Sequence, residues 1–232
     1  MNKDDKMKII CFGDSQTRGV SYREGRLRIL KENYPNTLQK LLSSHHRKTT
    51  VINKGVFNDN SDLLLQRLSR DVIAEKPDYT IIGVGGNDCD FQWDEVAEQP
   101  EKEHQPTVPL ERYLKNIKEI VQTLQESAIT PIVLTLPPLD PIRYYELLTK
   151  KYDQAISHWI SKVGGIEYWH GLYNYHLNQL IDQLHVAKID VRNALKKVGP
   201  LSRFISGDGI HLTAEGYAQM GTIVYQHMKT KM

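Results

Sequence analysis

Three short stretches of this 232-residue chain carry residue types that could do chemistry together. The run IICFGDSQTRG, Ile9 to Gly19, passes abruptly from apolar residues to Gly13, Asp14 and Ser15. DGIHL, Asp208 to Leu212, sets a carboxylate and an imidazole three residues apart, and GGND places Asn87 and Asp88 directly after another apolar run. A serine in the first context either caps a helix or acts as a nucleophile, and the segment alone does not decide. A nucleophilic serine needs a base, a group that orients the base, and donors for a developing oxyanion. Asp208 and His211 are spaced so that a single turn aims both side chains at one region, with the carboxylate fixing the useful imidazole tautomer. Each stretch is weak evidence by itself, since GDS often ends a strand in a capped turn and a DxxH often holds a surface histidine. Their joint occurrence is the signal, because all three fall where strands are expected to end.

The elements that must position them follow from hydropathy. Apolar runs of strand type recur at residues 7–12, 49–53, 79–85, 130–136 and 186–191. Runs apolar on both faces suit strands covered on both sides. Between them, residues 33–42, 61–74, 110–124, 144–163 and 172–184 carry apolar residues at helical spacing, and a last helix is expected at 213–228 with Thr213 as its cap. This alternation predicts an α/β fold, a five-stranded parallel sheet with helices on both faces in a flavodoxin-like three-layer sandwich. The chain length suits one domain spanning 1–232. Two irregular segments, 89–109 and 137–143, follow strand ends, where open α/β sheets bind ligands, so they are the expected walls of a site. Phe91 and Trp93 are candidates for lining it. Trp169, Tyr173 and Tyr175 are expected to pack against the body of the domain instead.

Bulk properties exclude other classes. The formal net charge is +2, with 30 Lys and Arg spread among 28 Asp and Glu, which gives no concentrated basic face for nucleic acid. His45, His46, Arg47 and Lys48 form the densest basic run and read as a solvated turn. No segment approaches membrane-spanning length and the N-terminus lacks a signal-peptide core, which points to a cytoplasmic protein. Cys11 and Cys89 read as a core thiol and a loop thiol, with a small allowance for reactivity at Cys89. His170 and His176 read as part of a partly buried aromatic helix rather than as metal ligands, and Asp190 as a cap or a buried acceptor.

On these residues the chain resembles the SGNH or GDSL-like hydrolases, a family of esterases, lipases and related acylhydrolases. GDSQTRG is similar to that family's first block, GGND to its third and DGIH to its fifth. The resemblance implies that Ser15 is the nucleophile, His211 the base and later the acid, and Asp208 the orienting carboxylate. It also implies an oxyanion hole built from the backbone N–H of Ser15 and the side-chain amide of Asn87. The second block departs from the family pattern: NKGVFNDNS puts Gly55 at the earlier small position and Asn58 where a donor glycine is usual. Asparagine tolerates left-handed backbone angles, so Asn58 is expected to donate through its N–H and Gly55 to permit a close approach. Asp14, Gly55, Phe91 and Trp93 are the residues expected nearest the substrate. The implied reaction is hydrolysis of small or carbohydrate-like acyl esters without metal or organic cofactor. Two other readings share these residues: a flavodoxin-like domain that binds a small molecule without turnover, and an acyltransferase that uses the same serine with an acceptor other than water.

Overall fold

The computed structural model describes residues 7–44 and 48–230. The basic run at His45, His46 and Arg47 therefore lies outside the described residues. Among the described residues seven strands are formed: β1 (Met7–Gly13), β2 (Val20–Arg23), β3 (Arg26–Ile29), β4 (Thr49–Gly55), β5 (Tyr79–Gly83), β6 (Thr130–Leu134) and β7 (Ala187–Ile189). Five of them make one parallel sheet in the order β4-β1-β5-β6-β7, and β2 with β3 make a separate antiparallel hairpin. The hairpin has no counterpart in the hydropathy reading, because VSYR and RLRI hold too few apolar residues to register as strands.

Among the described residues twelve α-helices flank the sheet. They are α1 (Ser15–Arg18), α2 (Tyr34–Ser43), α3 (Ser61–Asp71), α4 (Gly86–Cys89), α5 (Trp93–Glu98), α6 (Leu110–Glu126) and α7 (Pro141–Tyr152). Continuing along the chain come α8 (Ser157–Lys162), α9 (Ile166–Gln183), α10 (Val191–Val198), α11 (Leu201–Phe204) and α12 (Ala214–Met228).

Alternation along β1 assigns its side chains to the two faces. Ile10 and Phe12 join a cluster with Leu64 and Leu68 of α3, Ile117 and Ile120 of α6, and Leu177 and Ile181 of α9. Ile9 and Cys11 face the other way, toward Leu38 and Leu42 of α2, Leu195 of α10, and Met220 and Val224 of α12. A period of two along the strand thus separates two cores, and the result is three layers, helix, sheet and helix. A third, smaller cluster of Phe91, Trp93, Val96, Tyr144, Leu148, Trp159 and Ile160 involves α5, α7 and α8.

Most predicted elements are present, and two are corrected. The helix expected at 144–163 is two helices: Asp140 caps α7 by accepting from the Ile142 and Arg143 N–H groups, and Asp153 then turns into the left-handed region at φ 52°. The break lets Ile156, Trp159 and Ile160 fold back into the same cluster as Tyr144 and Leu148. The helix expected at 172–184 begins earlier, at Ile166, so the aromatic stretch around Trp169 lies within it. Thr213 caps α12 by accepting from the Gly216 N–H at 3.1 Å. Among the described residues no helix is long and apolar enough to cross a membrane.

Candidate active site

The loop that carries Asp208 and His211 is closed by a bridge between Ile205 and Leu212 and by the Ser206 N–H donating to the His211 carbonyl at 2.7 Å. Gly209 turns it at φ +77°, and an added Cβ there would lie 2.4 Å from the Tyr144 nitrogen, so only glycine fits. Asp208 Oδ1 accepts from Ser206 Oγ at 2.9 Å and from the Ile210 and His211 N–H groups at 3.1 Å each. Its Oδ2 lies 2.6 Å from His211 Nδ1, and His211 Nε2 lies 2.9 Å from Ser15 Oγ. Burial pushes the Asp208 carboxyl up, but the hydrogen bond and charge of His211 with the two backbone N–H groups outweigh it, and the acid sits below its ordinary range. An ionised Asp208 therefore holds the Nδ1 proton and turns the free face of Nε2 toward Ser15.

Ser15 is the first residue of α1, directly beyond the end of β1. Asp14 caps that helix, its Oδ1 accepting from the Gln16 N–H at 2.8 Å. The four-residue helix is pressed against the end of β4: a Cβ on Gly55 would stand 2.2 Å from the Arg18 nitrogen. Asp14 is pushed up to about 7, chiefly by burial, with the Gln16 N–H and His211 pulling the other way and Asp88 and Asp59 adding to the rise.

Asn87 sits in α4, where its Nδ2 donates to the Asp59 carbonyl at 2.7 Å, and it shares a cavity wall with Ser15. Asn58 takes the left-handed region at φ 61°, and its residue is exposed rather than part of that wall. A buried charge network holds these segments in place. Arg67 donates through Nε to Asp59 Oδ2 at 2.6 Å, through Nη1 to Asp71 Oδ2 at 3.0 Å and through Nη2 to the Gly13 carbonyl at 2.9 Å. Its guanidinium also lies 4.4 Å from the centre of the Phe12 ring. Asp88 accepts from the Ser61 N–H at 2.9 Å, and burial pushes its carboxyl up to about 6. Sequence reasoning missed Arg67. Only its i,i+4 pairing with Asp71 is visible locally, because the Gly13 contact spans 54 positions.

A cavity of about 90 Å³ opens beside Ser15 and Asn87, against the ~10–15 Å³ needed for one water molecule. Phe91, Trp93, Leu136, Ile160, Ile166 and Trp169 give it a largely apolar wall. Both expected loops contribute, through Phe91 and Trp93 and through Pro137 and Leu139, while Asp14 lines it as well. Trp169, expected to serve only the core, faces the cavity also, with Nε1 donating to the Cys89 carbonyl at 2.7 Å. Tyr173 is fully buried and donates to the Val108 carbonyl at 2.8 Å, and Tyr175 is exposed. Cys89 ends α4 rather than lying in a loop, and burial pushes its thiol well up, which removes the allowance for reactivity. Asp190 caps α10 by accepting from the Asn193 N–H. Among the described residues no cluster of three or more His, Cys, Asp or Glu could hold a metal ion. Within the cavity wall, Asp90 Oδ1 accepts from Trp93 Nε1 at 2.8 Å and from the Tyr144 hydroxyl at 2.7 Å.

Residues 11–219 match the GDSL-like lipase/acylhydrolase family. The chain is 26% identical to the Bacillus subtilis lipoprotein YqeF over 221 residues, covering 93% of this chain and 79% of that one. Its fold is that of a lipase/acylhydrolase from Enterococcus faecalis, with a TM-score of 0.72 at 19% identity over 97% of this chain and 96% of that one. The fold is likewise that of the acetylxylan esterase Axe2 from Geobacillus stearothermophilus, with a TM-score of 0.68 at 18% identity over 96% and 94% of the two chains. With its three motif-bearing loops gathered at one end of a five-stranded parallel sheet, the chain belongs to the GDSL-like lipase/acylhydrolase family.

Proposed function

We propose that this protein is a serine-dependent hydrolase of carboxylic esters with short, largely apolar acyl groups. The observation that carries the reading is the continuous chain from Asp208 Oδ2 through His211 to Ser15 Oγ, with links of 2.6 and 2.9 Å. A domain that only binds has no physical need for that alignment. In the first step His211 Nε2 takes the Ser15 proton as Oγ bonds to the ester carbonyl carbon, and the carbonyl oxygen becomes an oxyanion. The N–H groups of Ser15 and Asn58 and the second amide proton of Asn87 would stabilise it. The alcohol then leaves with the proton from His211, and water, deprotonated by the same imidazole, releases the acyl group and restores Ser15.

Asn58 is assigned as a backbone donor because it holds φ at 61°, in the left-handed region that glycine adopts most readily, while the exposed position leaves room for its side chain. The acyl preference rests on the aromatic and aliphatic cavity wall beside Ser15. Neither a metal nor an organic cofactor enters these steps. Hydrolysis of p-nitrophenyl acetate and butyrate by the wild type and by Ser15→Ala tests the reading. Turnover should fall by about 10⁴-fold or more in the variant, and a Ser15→Ala protein as active as the wild type would refute it.

A further inference from the structure

The polar side chains around the cavity are nearly all committed. Trp93 and the Tyr144 hydroxyl donate to Asp90, the Trp169 indole donates to the Cys89 carbonyl, and the Cys89 thiol donates to the Gly86 carbonyl. Thr135 Oγ1 donates to Asp190 and accepts from the Arg192 N–H, while Gln16 Nε2 donates to the Ile210 carbonyl. His170 is different. Its ring lines the cavity and the residue is 7% exposed, yet only one ring nitrogen has a protein partner. That partner is Arg192 Nη1, at 2.9 Å from Nδ1. A guanidinium can only donate, so Nδ1 accepts and the ring proton must reside on Nε2.

The tautomer is held firmly. Arg192 is itself buried, its Nη2 donates to Glu167 Oε1 at 2.6 Å, and Lys196 donates to the same oxygen at 3.0 Å. Burial, with the positive charges of Arg192 and Lys196, pushes His170 down to about 3, so the ring stays neutral. A histidine kept only for packing would normally spend both nitrogens. Here a fixed, neutral N–H donor is left over among the apolar side chains of the wall, in addition to the second amide proton of Asn87 beside Ser15.

We propose that His170 is a specificity-determining residue of the cavity, where its Nε2–H recognises an acyl chain that carries an uncharged oxygen acceptor on an otherwise apolar skeleton. This rests on the ester-hydrolase reading above. The cavity begins at Ser15 and Asn87, so it suits the acyl part that stays on the enzyme after the alcohol has left. An ether, ketone or hydroxyl oxygen at the right distance along the chain would accept from His170. A plain alkanoyl chain would leave that donor unmade.

The test uses p-nitrophenyl alkanoates beside analogues in which one methylene, at carbon 4, 5, 6 or 7 of the acyl chain, is replaced by an ether oxygen. The readout is the ratio of kcat/KM for each ether to that of its hydrocarbon isostere. An ether is less readily taken from water than a methylene, so the ratio should lie below one at most positions. At the position facing His170 it should rise about tenfold above its neighbours. In His170→Phe that peak should vanish, with Ser15-dependent turnover of the plain alkanoates showing that the variant is folded. A flat wild-type profile with intact Ser15-dependent turnover would overturn this inference alone, as would a peak that survives His170→Phe. Absence of Ser15-dependent turnover for every ester in the series would overturn the hydrolase reading and this inference with it.

Discussion

The loop from Ser206 to Leu212 and the wall made by α5, α7 and α8 face the same cavity and are built by different means. In the loop, one carboxylate gathers hydrogen bonds from Ser206, Ile210 and His211, all within three positions of it in the chain. In the wall, side chains from distant segments meet edge to face: Phe91 with Trp159 at 5.6 Å between ring centres, and Trp93 with Tyr144 at 6.4 Å. The first arrangement is short-range and directional, so it tolerates almost no change in residue type. The second is long-range and shape-based, so volume can be traded among its members. On the proposed function, chemistry and selectivity therefore occupy parts of the molecule that respond differently to mutation.

The largest expected effect is on the directional side. Asp208→Asn keeps the shape but removes the charge that fixes the His211 tautomer, and kcat should fall by about 10⁴-fold. A loss under tenfold would mean that Ser206 and the backbone N–H groups position the loop without help from the charge. On the shape-based side, Val163→Phe should narrow the cavity, and kcat/KM for hexanoate should fall by roughly tenfold relative to acetate. Equal effects on both esters would show that the acyl chain lies elsewhere.

The smallest effect concerns stability and pH. Folded Asp14 holds its proton to about pH 7, whereas the unfolded chain releases it near the ordinary aspartate value of 3.8. The folded state binds more protons between those values, so this contribution is fully present below about pH 4 and is lost as pH rises through 7. Asp14→Asn keeps the cap without titrating, so its Tm should decline less steeply than that of the wild type between pH 4 and 7. Asp88, raised to about 6, acts in the same direction and leaves part of the slope in place. Parallel Tm profiles would show that Asp14 titrates at an ordinary pH.

The same contrast explains what could be read from the sequence. Ser15, Asp208 and His211 stood out because the proposed nucleophilic catalysis restricts residue type and spacing together. The five sheet strands stood out because burial on both faces leaves continuous apolar runs. Arg67 did not, since its partners Gly13, Asp59 and Asp71 converge only after β1, β4 and α3 have packed. Trp169 and His170 were legible as helical residues but not as cavity residues, because periodicity identifies a buried face without saying whether that face meets side chains or open volume. The break at Asp153 was hidden for a related reason: apolar spacing continues across it, and only the return of Trp159 to the cluster of Tyr144 requires a turn.

The pinch between Gly55 and α1 bears on motion as well as position. With no space for even a methyl group between the Gly55 Cα and the Arg18 backbone, the segment carrying Ser15 has nowhere to move while the sheet is intact. Its amides at Arg18 and Gly19, which donate to the Asp14 and Ser15 carbonyls, should exchange with solvent deuterium only when the whole domain opens. In the outer wall α7 meets the same constraint, since a Cβ on Gly209 would lie 2.4 Å from the Tyr144 nitrogen. The segment carrying Ser15 and the loop carrying Asp208 and His211 are thus both wedged against their neighbours by a glycine, so the alignment from Asp208 to Ser15 persists for as long as the sheet does.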